Sequence, residues 1–260
     1  DMVPAEIRKQ WAQNGIYPDK SVYELFCEHV RRHPDNPAVI SLDQTITYAE
    51  LLDKIHRLAG SLKALGIVSG DVVAYQLPNS WRSCVIDLAA AALGAIVAAF
   101  PPGRGRLDIQ SLLRRCDARL IVVEQEYAGT DLCKMIETIR PTVLSLRILV
   151  VDGRSRKGWH TMDDLFQAEP VELSQLPEVS PESPVRLLIS SGTESEPKWV
   201  AYSHNALAGG RGRFLQRIHP DGGTFRGLYL MPLGTAFGST ATFGILSWLG
   251  GSVIVLPQFD

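Results

Sequence analysis

The runs DVVAYQL (71–77), ARLIVV (118–123) and LRILVVD (146–152) are apolar at almost every position. A strand with one wet face alternates apolar and polar residues. These runs do not, so both of their faces must be covered, as in a parallel sheet with helices on either side. Helical patterns lie between them. Ser21 with Glu24, and Thr47 with Glu50, have the spacing of a capping box ahead of an apolar-periodic run. Beyond the second box, Leu51, Leu52, Ile55, Leu58, Ala59, Leu62 and Leu65 recur every three or four positions, giving one buried stripe that Gly66 stops. The Ala-rich stretch from Cys84 to Val97 predicts a helix packed closely on the sheet. Further helices are expected around Ile109–Cys116, at Leu132–Ile139 and after Thr161. Strand and helix in repeated succession define an α/β architecture.

Composition narrows the function classes. Of 260 residues, 45% are apolar and 21% charged, the balance of an ordinary globular chain, and the net charge is −2. The arginines fall in short scattered groups, which suits solvated faces and argues against a nucleic-acid partner. Cys27, Cys84, Cys116 and Cys133 form no C-x-x-C pair, which disfavours a zinc site or disulfide scaffold and fits a reducing, cytoplasmic setting. The N-terminal residues lack the apolar core of a signal peptide. The longest apolar run, Leu88–Phe100, is too short to span a bilayer, so no membrane insertion is expected.

The proline- and glutamate-rich stretch 169–184 reads as a linker or crossover. It divides the chain into a first α/β subdomain, 1–168, and the start of a second, 185–260. In the second part, strand 185–190 breaks into Ser190, Ser191, Gly192, Thr193, Glu194, Ser195, Glu196, Pro197 and Lys198 before strand 199–203 and a helix from His204 to about Gln216. Small residues, hydroxyls, closely spaced backbone N–H groups and one cation are what a polyphosphate-binding loop requires. Neither the G-x-x-x-x-G-K-[ST] nor the G-x-G-x-x-G spacing is present, and GGRGRF at Gly209 lacks the third glycine. A carboxylate ~5 Å from a phosphate charge costs roughly 3 kcal/mol at an effective dielectric near 20. Glu194 and Glu196 are therefore expected to face solvent, or one of them to help hold a metal. Then come the strand LYLMP, a Gly/Ser/Thr-rich stretch, a helix and the strand SVIVLP.

The segment SSGTESEPKWVAYSH resembles the glycine/serine/threonine-rich loop of the adenylate-forming superfamily, which includes acyl- and aryl-CoA synthetases, adenylation domains and luciferases. Ser190, Ser191, Gly192, Thr193, Pro197, Lys198 and the Ser203–His204 pair match its pattern. Glu194 replaces a hydroxyl, Ser195 a glycine, and Trp199 a residue that is commonly small. Two further stretches are similar to family signatures in the same order. One begins TITYAELL and runs through GIVSGDVV to LPNS; the other is LYLMPLGTAFG with its later Gly-Gly turn, strand and Phe-Asp.

The resemblance implies layered, mostly parallel sheets flanked by helices, the first half of such an enzyme's large N-terminal domain. It also implies ATP and Mg²⁺ as cofactors, a small carboxylic acid substrate, and CoA or a phosphopantetheinyl carrier protein as thiol acceptor. Residues 190–198 would hold the ATP phosphates, with Thr193 as a candidate metal ligand. The acyl pocket would draw on His204, Thr235, Ala236, Phe237, Gly238 and Ser239. The small residues there leave room for a bulky acyl or aryl group. No acidic residue lies between Asp221 and Asp260, which disfavours an α-amino acid, and Thr235–Ala236 stands where the aryl-acid branch often has His-Asn. His204 at a helix start, Phe237 and Trp248 at helical spacing, and Asn79–Ser80 after a proline also suit capping, core and turn roles. The later family signatures and the small domain with the catalytic lysine are missing, so no catalytic residue is assigned, and the chain reads as a fragment inactive by itself. The rival reading is a non-catalytic nucleotide- or partner-binding relative with a degenerate loop.

Overall fold

The computed structural model describes residues 4–189 and 198–257. The chain opens with α1 (Ala5–Gln13) and α2 (Val22–Arg32), then a short antiparallel pair, β1 (Pro37–Ile40) and β2 (Thr45–Thr47), leading into α3 (Tyr48–Ala64). Both expected capping boxes form: the Ser21 and Thr47 hydroxyls accept the Glu24 and Glu50 amides, and each glutamate returns a bond to the cap backbone. Next are β3 (Val72–Gln76), α4 (Trp81–Ala92), β4 (Ile96–Ala99), α5 (Arg106–Arg115) and β5 (Ala118–Glu124). A small hairpin, β6 (Glu126–Tyr127) and β7 (Thr130–Asp131), precedes α6 (Leu132–Ile139), β8 (Ile148–Asp152), β9 (His160–Thr161) and α7 (Met162–Phe166). The remainder is β10 (Pro184–Ile189), β11 (Trp199–Ser203), a π-helical segment (Ala206–Gly212), α8 (Arg213–Ile218), β12 (Arg226–Tyr229), a second π-helical segment (Ala241–Leu249) and β13 (Ser252–Val255).

The strands form a seven-stranded sheet, β11-β10-β4-β3-β5-β8-β9, and a four-stranded sheet, β12-β13-β1-β2. The larger is parallel except for β11, which returns antiparallel along the edge of β10. Its faces separate by alternation along each strand. Val73, Tyr75, Leu120, Val122 and Val150 join α2, α3 and α4 in one core; Val72, Ala74, Ile121, Val123 and Val151 join α5 and α6 in another. The first core also takes in Val39, Val253 and Val255 of the smaller sheet, so helices are layered between the two sheets. Stretch 169–184 leads from β9 and α7 to β10, so it connects two strands of the seven-stranded sheet, and strands of both sheets lie before and after it in sequence.

Two local expectations need correction. The Cys84–Val97 run is not one helix: α4 ends at Ala92, and the last residues of that run already belong to β4. Gly94 makes the break at φ +68°, and a Cβ there would lie 2.7 Å from the Ser69 hydroxyl. A single glycine in an otherwise apolar run left the strand hidden. The β1–β2 pair was not anticipated either, because strands of four and three residues carry little periodicity. The helix expected from about His204 to Gln216 is present as a continuous run over 204–218, π-helical at Ala206–Gly212 and continuing as α8.

Candidate active site

Strand β10 runs parallel to β4, so its end at Ile189 lies on the carboxyl edge of the parallel sheet, the edge where open α/β sheets bind ligands. Ile189 pairs with Trp199, which holds together the two ends of the connection that carries the candidate phosphate loop. Ser190, Ser191, Gly192, Thr193, Glu194, Ser195, Glu196 and Pro197 lie outside the described residues. Lys198, just ahead of β11, is exposed. Trp199, where relatives of the loop commonly have a small residue, anchors the strand: its indole N–H donates to the Leu112 carbonyl at 3.3 Å, and its ring lies 6.0 Å from Phe100.

A cavity of about 570 Å³ opens between the first π-helical segment, α8, β12 and the turn that follows β12. Phe214, Leu215, Phe225, Tyr229, Phe237 and Ile245 give it an aromatic and aliphatic wall. Of the pocket residues expected from sequence, Ala236 and Phe237 line it; the Phe237 ring sits 5.8 Å from that of Tyr229. Thr235, Gly238 and Ser239 build the turn behind that wall. The Thr235 hydroxyl donates to the Pro232 carbonyl at 2.7 Å and accepts the Gly238 amide at 3.0 Å. A Cβ at Gly238 would lie 2.0 Å from the Pro232 oxygen, so only glycine fits. The Ser239 hydroxyl bonds the Ala236 carbonyl at 2.8 Å.

His204 is fully buried, and its Nδ1 accepts the Val22 amide at the start of α2, 3.2 Å away. Burial pushes its pKa down to about 4, so the imidazole is neutral. It packs beneath α2 and does not line the cavity.

Four side chains that hold or line the site were not singled out for it. Asn79, read as a turn residue, is a clamp: its Nδ2 donates to the Tyr229 and Met231 carbonyls at 3.3 and 3.0 Å, and its Oδ1 accepts the Leu233 amide at 2.8 Å. This ties the LPNS segment to the turn that walls the cavity. Arg186, fully buried on β10, pairs with Asp87 of α4 and donates to the Leu233 carbonyl at 3.1 Å and to the Tyr75 hydroxyl at 3.4 Å. Thr242 completes the Asp87 carboxylate at 2.9 Å. Burial pushes the Asp87 carboxyl up, against the pull of Arg186 and Thr242. The Asp87 and Tyr75 oxygens outweigh burial at Arg186 and keep the guanidinium charged. Neither residue follows from periodicity, since a buried arginine in a strand looks like a solvent-facing position. Arg211 and Phe214 lie in the GGRGRF stretch, where glycine spacing drew attention away from the side chains.

Among the described residues no cluster of three His, Cys, Asp or Glu could hold a metal, and the candidate ligand Thr193 lies outside them. No described helix is long and apolar enough to cross a membrane.

Compared with known families, residues 26–260 match the AMP-binding enzyme model. Protein Y of Streptomyces griseus is 32% identical over 187 residues, 70% of this chain and 60% of that protein. An indoleacetate–CoA ligase of Aromatoleum aromaticum is 28% identical over 241 residues, 91% of this chain and 45% of that protein. Among solved structures, the apo structure of Mycobacterium smegmatis MbtA superposes with a TM-score of 0.85 at 25% identity, covering 98% of this chain and 47% of that one. The chain thus spans less than two thirds of the length of these relatives.

Proposed function

The chain belongs to the AMP-binding enzyme family, and from that premise we propose that it supplies the triphosphate- and acid-binding part of an ATP-dependent carboxylic acid-activating enzyme. A substrate carboxylate oxygen attacks the α-phosphorus of ATP. The bond to the bridging oxygen breaks, and pyrophosphate leaves with that electron pair. The resulting acyl-AMP is then attacked at its carbonyl carbon by a thiol of CoA or of a carrier-protein pantetheine, and AMP departs. Such chemistry needs positioning and charge neutralisation more than covalent help. In this reading Lys198 and the residues before it hold the β- and γ-phosphates, Mg²⁺ supplies further charge neutralisation when bound, and the acyl or aryl body occupies the cavity behind Phe237.

The observation that carries the reading is that β11 links the two parts: Lys198 stands just ahead of its start, at the carboxyl edge of the sheet, and Tyr202 near its end backs Arg211, which lines the aromatic cavity. Among the described residues, the cavity lining holds no carboxylate that could receive an ammonium, which supports an acid without an α-amino group. All four cysteines are free thiols and three are buried, which supports a reducing, cytoplasmic setting.

ATP–pyrophosphate exchange on the longest natural reading frame containing this chain, across aryl, branched and fatty acids, tests the proposal. Acid-dependent exchange is expected, falling on the order of 10²-fold in Lys198→Ala. ATP binding without exchange for any acid would favour the non-catalytic alternative.

A further inference from the structure

Among the described residues, the cavity wall is mostly apolar and aromatic; besides the Thr240 hydroxyl it carries two cations, Arg211 and Arg226. They differ in kind. Arg226 is exposed, whereas Arg211 is part-buried and held in place. Its Nη1 donates to the Ser239 hydroxyl at 2.8 Å and to the Ala236 carbonyl, and its guanidinium lies 5.1 Å from the centre of the Tyr202 ring. Both bonds use one nitrogen. Among the described residues, no carboxylate pairs with Arg211 and no acceptor meets its Nη2 or Nε. A planar fork fixed at one tine, backed by an aromatic ring and facing an apolar cavity, is prepared for an oxygen acceptor on a ligand.

Its position selects which acceptor. Arg211 stacks on Tyr202, four residues along β11 from Lys198. At about 3.3 Å per strand residue, the two stand roughly 13 Å apart along the strand. A carboxylate being activated must sit near the phosphates, at the Lys198 end. Arg211 lines the cavity at the far end of β11 from Lys198.

We infer that Arg211 is a specificity-determining residue that recognises a second, anionic oxygen group on the far side of a bulky aromatic or branched acid. The preferred substrate class is then a dicarboxylic acid, or an acid with an equivalent ionised oxygen, activated at one end and read at the other. The inference rests on the acid-activating reading given above.

The probes are 2-naphthoate and 2,6-naphthalenedicarboxylate, with kcat/KM measured by ATP–pyrophosphate exchange on the same reading frame; kcat/KM is blind to unproductive binding of the monoacid. The wild-type protein should favour the diacid by about tenfold or more. Arg211→Leu should bring the ratio close to one, and Arg211→Lys should restore part of it. The wild-type ratio is measured without any variant, so a folding defect in Arg211→Leu cannot obscure it. A wild-type ratio near one overturns the inference, as does an equal loss of preference in Arg226→Leu, which would indicate a general field. Calorimetric binding of both probes separates this inference from its premise. A diacid preference in binding that depends on Arg211, with no exchange for any acid, overturns the activation reading and leaves recognition by Arg211 standing. Exchange without preference does the reverse.

Discussion

Replacing Arg186 with Met should be among the most destabilising single changes in this fold. The guanidinium is wholly buried, and three partners depend on it: the Asp87 carboxylate, the Tyr75 hydroxyl and the Leu233 carbonyl. Methionine fills much of the volume but donates nothing, leaving Asp87 in a dry site with only the Thr242 and Tyr75 hydroxyls. Breaking a buried pair from one side costs about 3–5 kcal/mol, whereas replacing both members with apolar residues often costs little. Asp87→Leu added to Arg186→Met should therefore recover at least ~2 kcal/mol, a coupling that a double-mutant cycle in urea measures directly. The pH dependence gives a second check. Burial already pushes the Asp87 carboxyl up, and removing Arg186 removes the main influence opposing it. A carboxyl whose folded pKa exceeds its unfolded value contributes stability below the unfolded pKa and loses it as pH rises through the folded value. The deficit of Arg186→Met should accordingly grow from pH 5 to pH 8. A cost under ~1 kcal/mol, or a double variant no more stable than Arg186→Met, would refute the reasoning.

Asn79→Ala removes three hydrogen bonds to the turn after β12 and should cost about 2–3 kcal/mol; accelerated hydrogen exchange at the Leu233 amide would locate the loss. Gly238→Ala places a methyl 2.0 Å from the Pro232 oxygen, so the turn must shift, and limited proteolysis at residues 232–240 should increase severalfold. His204 is held neutral by burial, with a pKa of about 4. Its contribution to stability is complete above the unfolded value near 6.5 and is lost as pH falls from there to about 4, for a total of roughly 3 kcal/mol. His204→Gln should flatten the acid limb of the urea midpoint against pH.

Sequence patterning made the parallel sheet, its helices and both capping boxes legible because each leaves a local trace: unbroken apolar strands, a heptad-like stripe, a hydroxyl three residues before a glutamate. The family resemblance, not patterning, drew attention to the turn at Thr235–Ser239, of which Ala236 and Phe237 line the cavity. What stayed hidden depends on partners far along the chain. The roles of Asn79 and Arg186 exist only because Leu233 folds back over them. His204 shares a motif with the loop, yet its bond is to Val22, far upstream in sequence. Such residues announce themselves by chemistry at a distance, which no window of neighbouring residues contains.

The pairing of β1 with β13 has a consequence for synthesis. Val39 finds its partner Val253 only after roughly 200 further residues have been made. At ~5–20 residues per second, this leaves the small sheet's early hairpin on a ribosome-bound chain for about 10–40 s without the neighbour that covers its edge. The larger sheet meanwhile adds successive strands as they emerge. The nascent chain thus completes its two sheets at different times, and the smaller is the one a holding chaperone would need to shield.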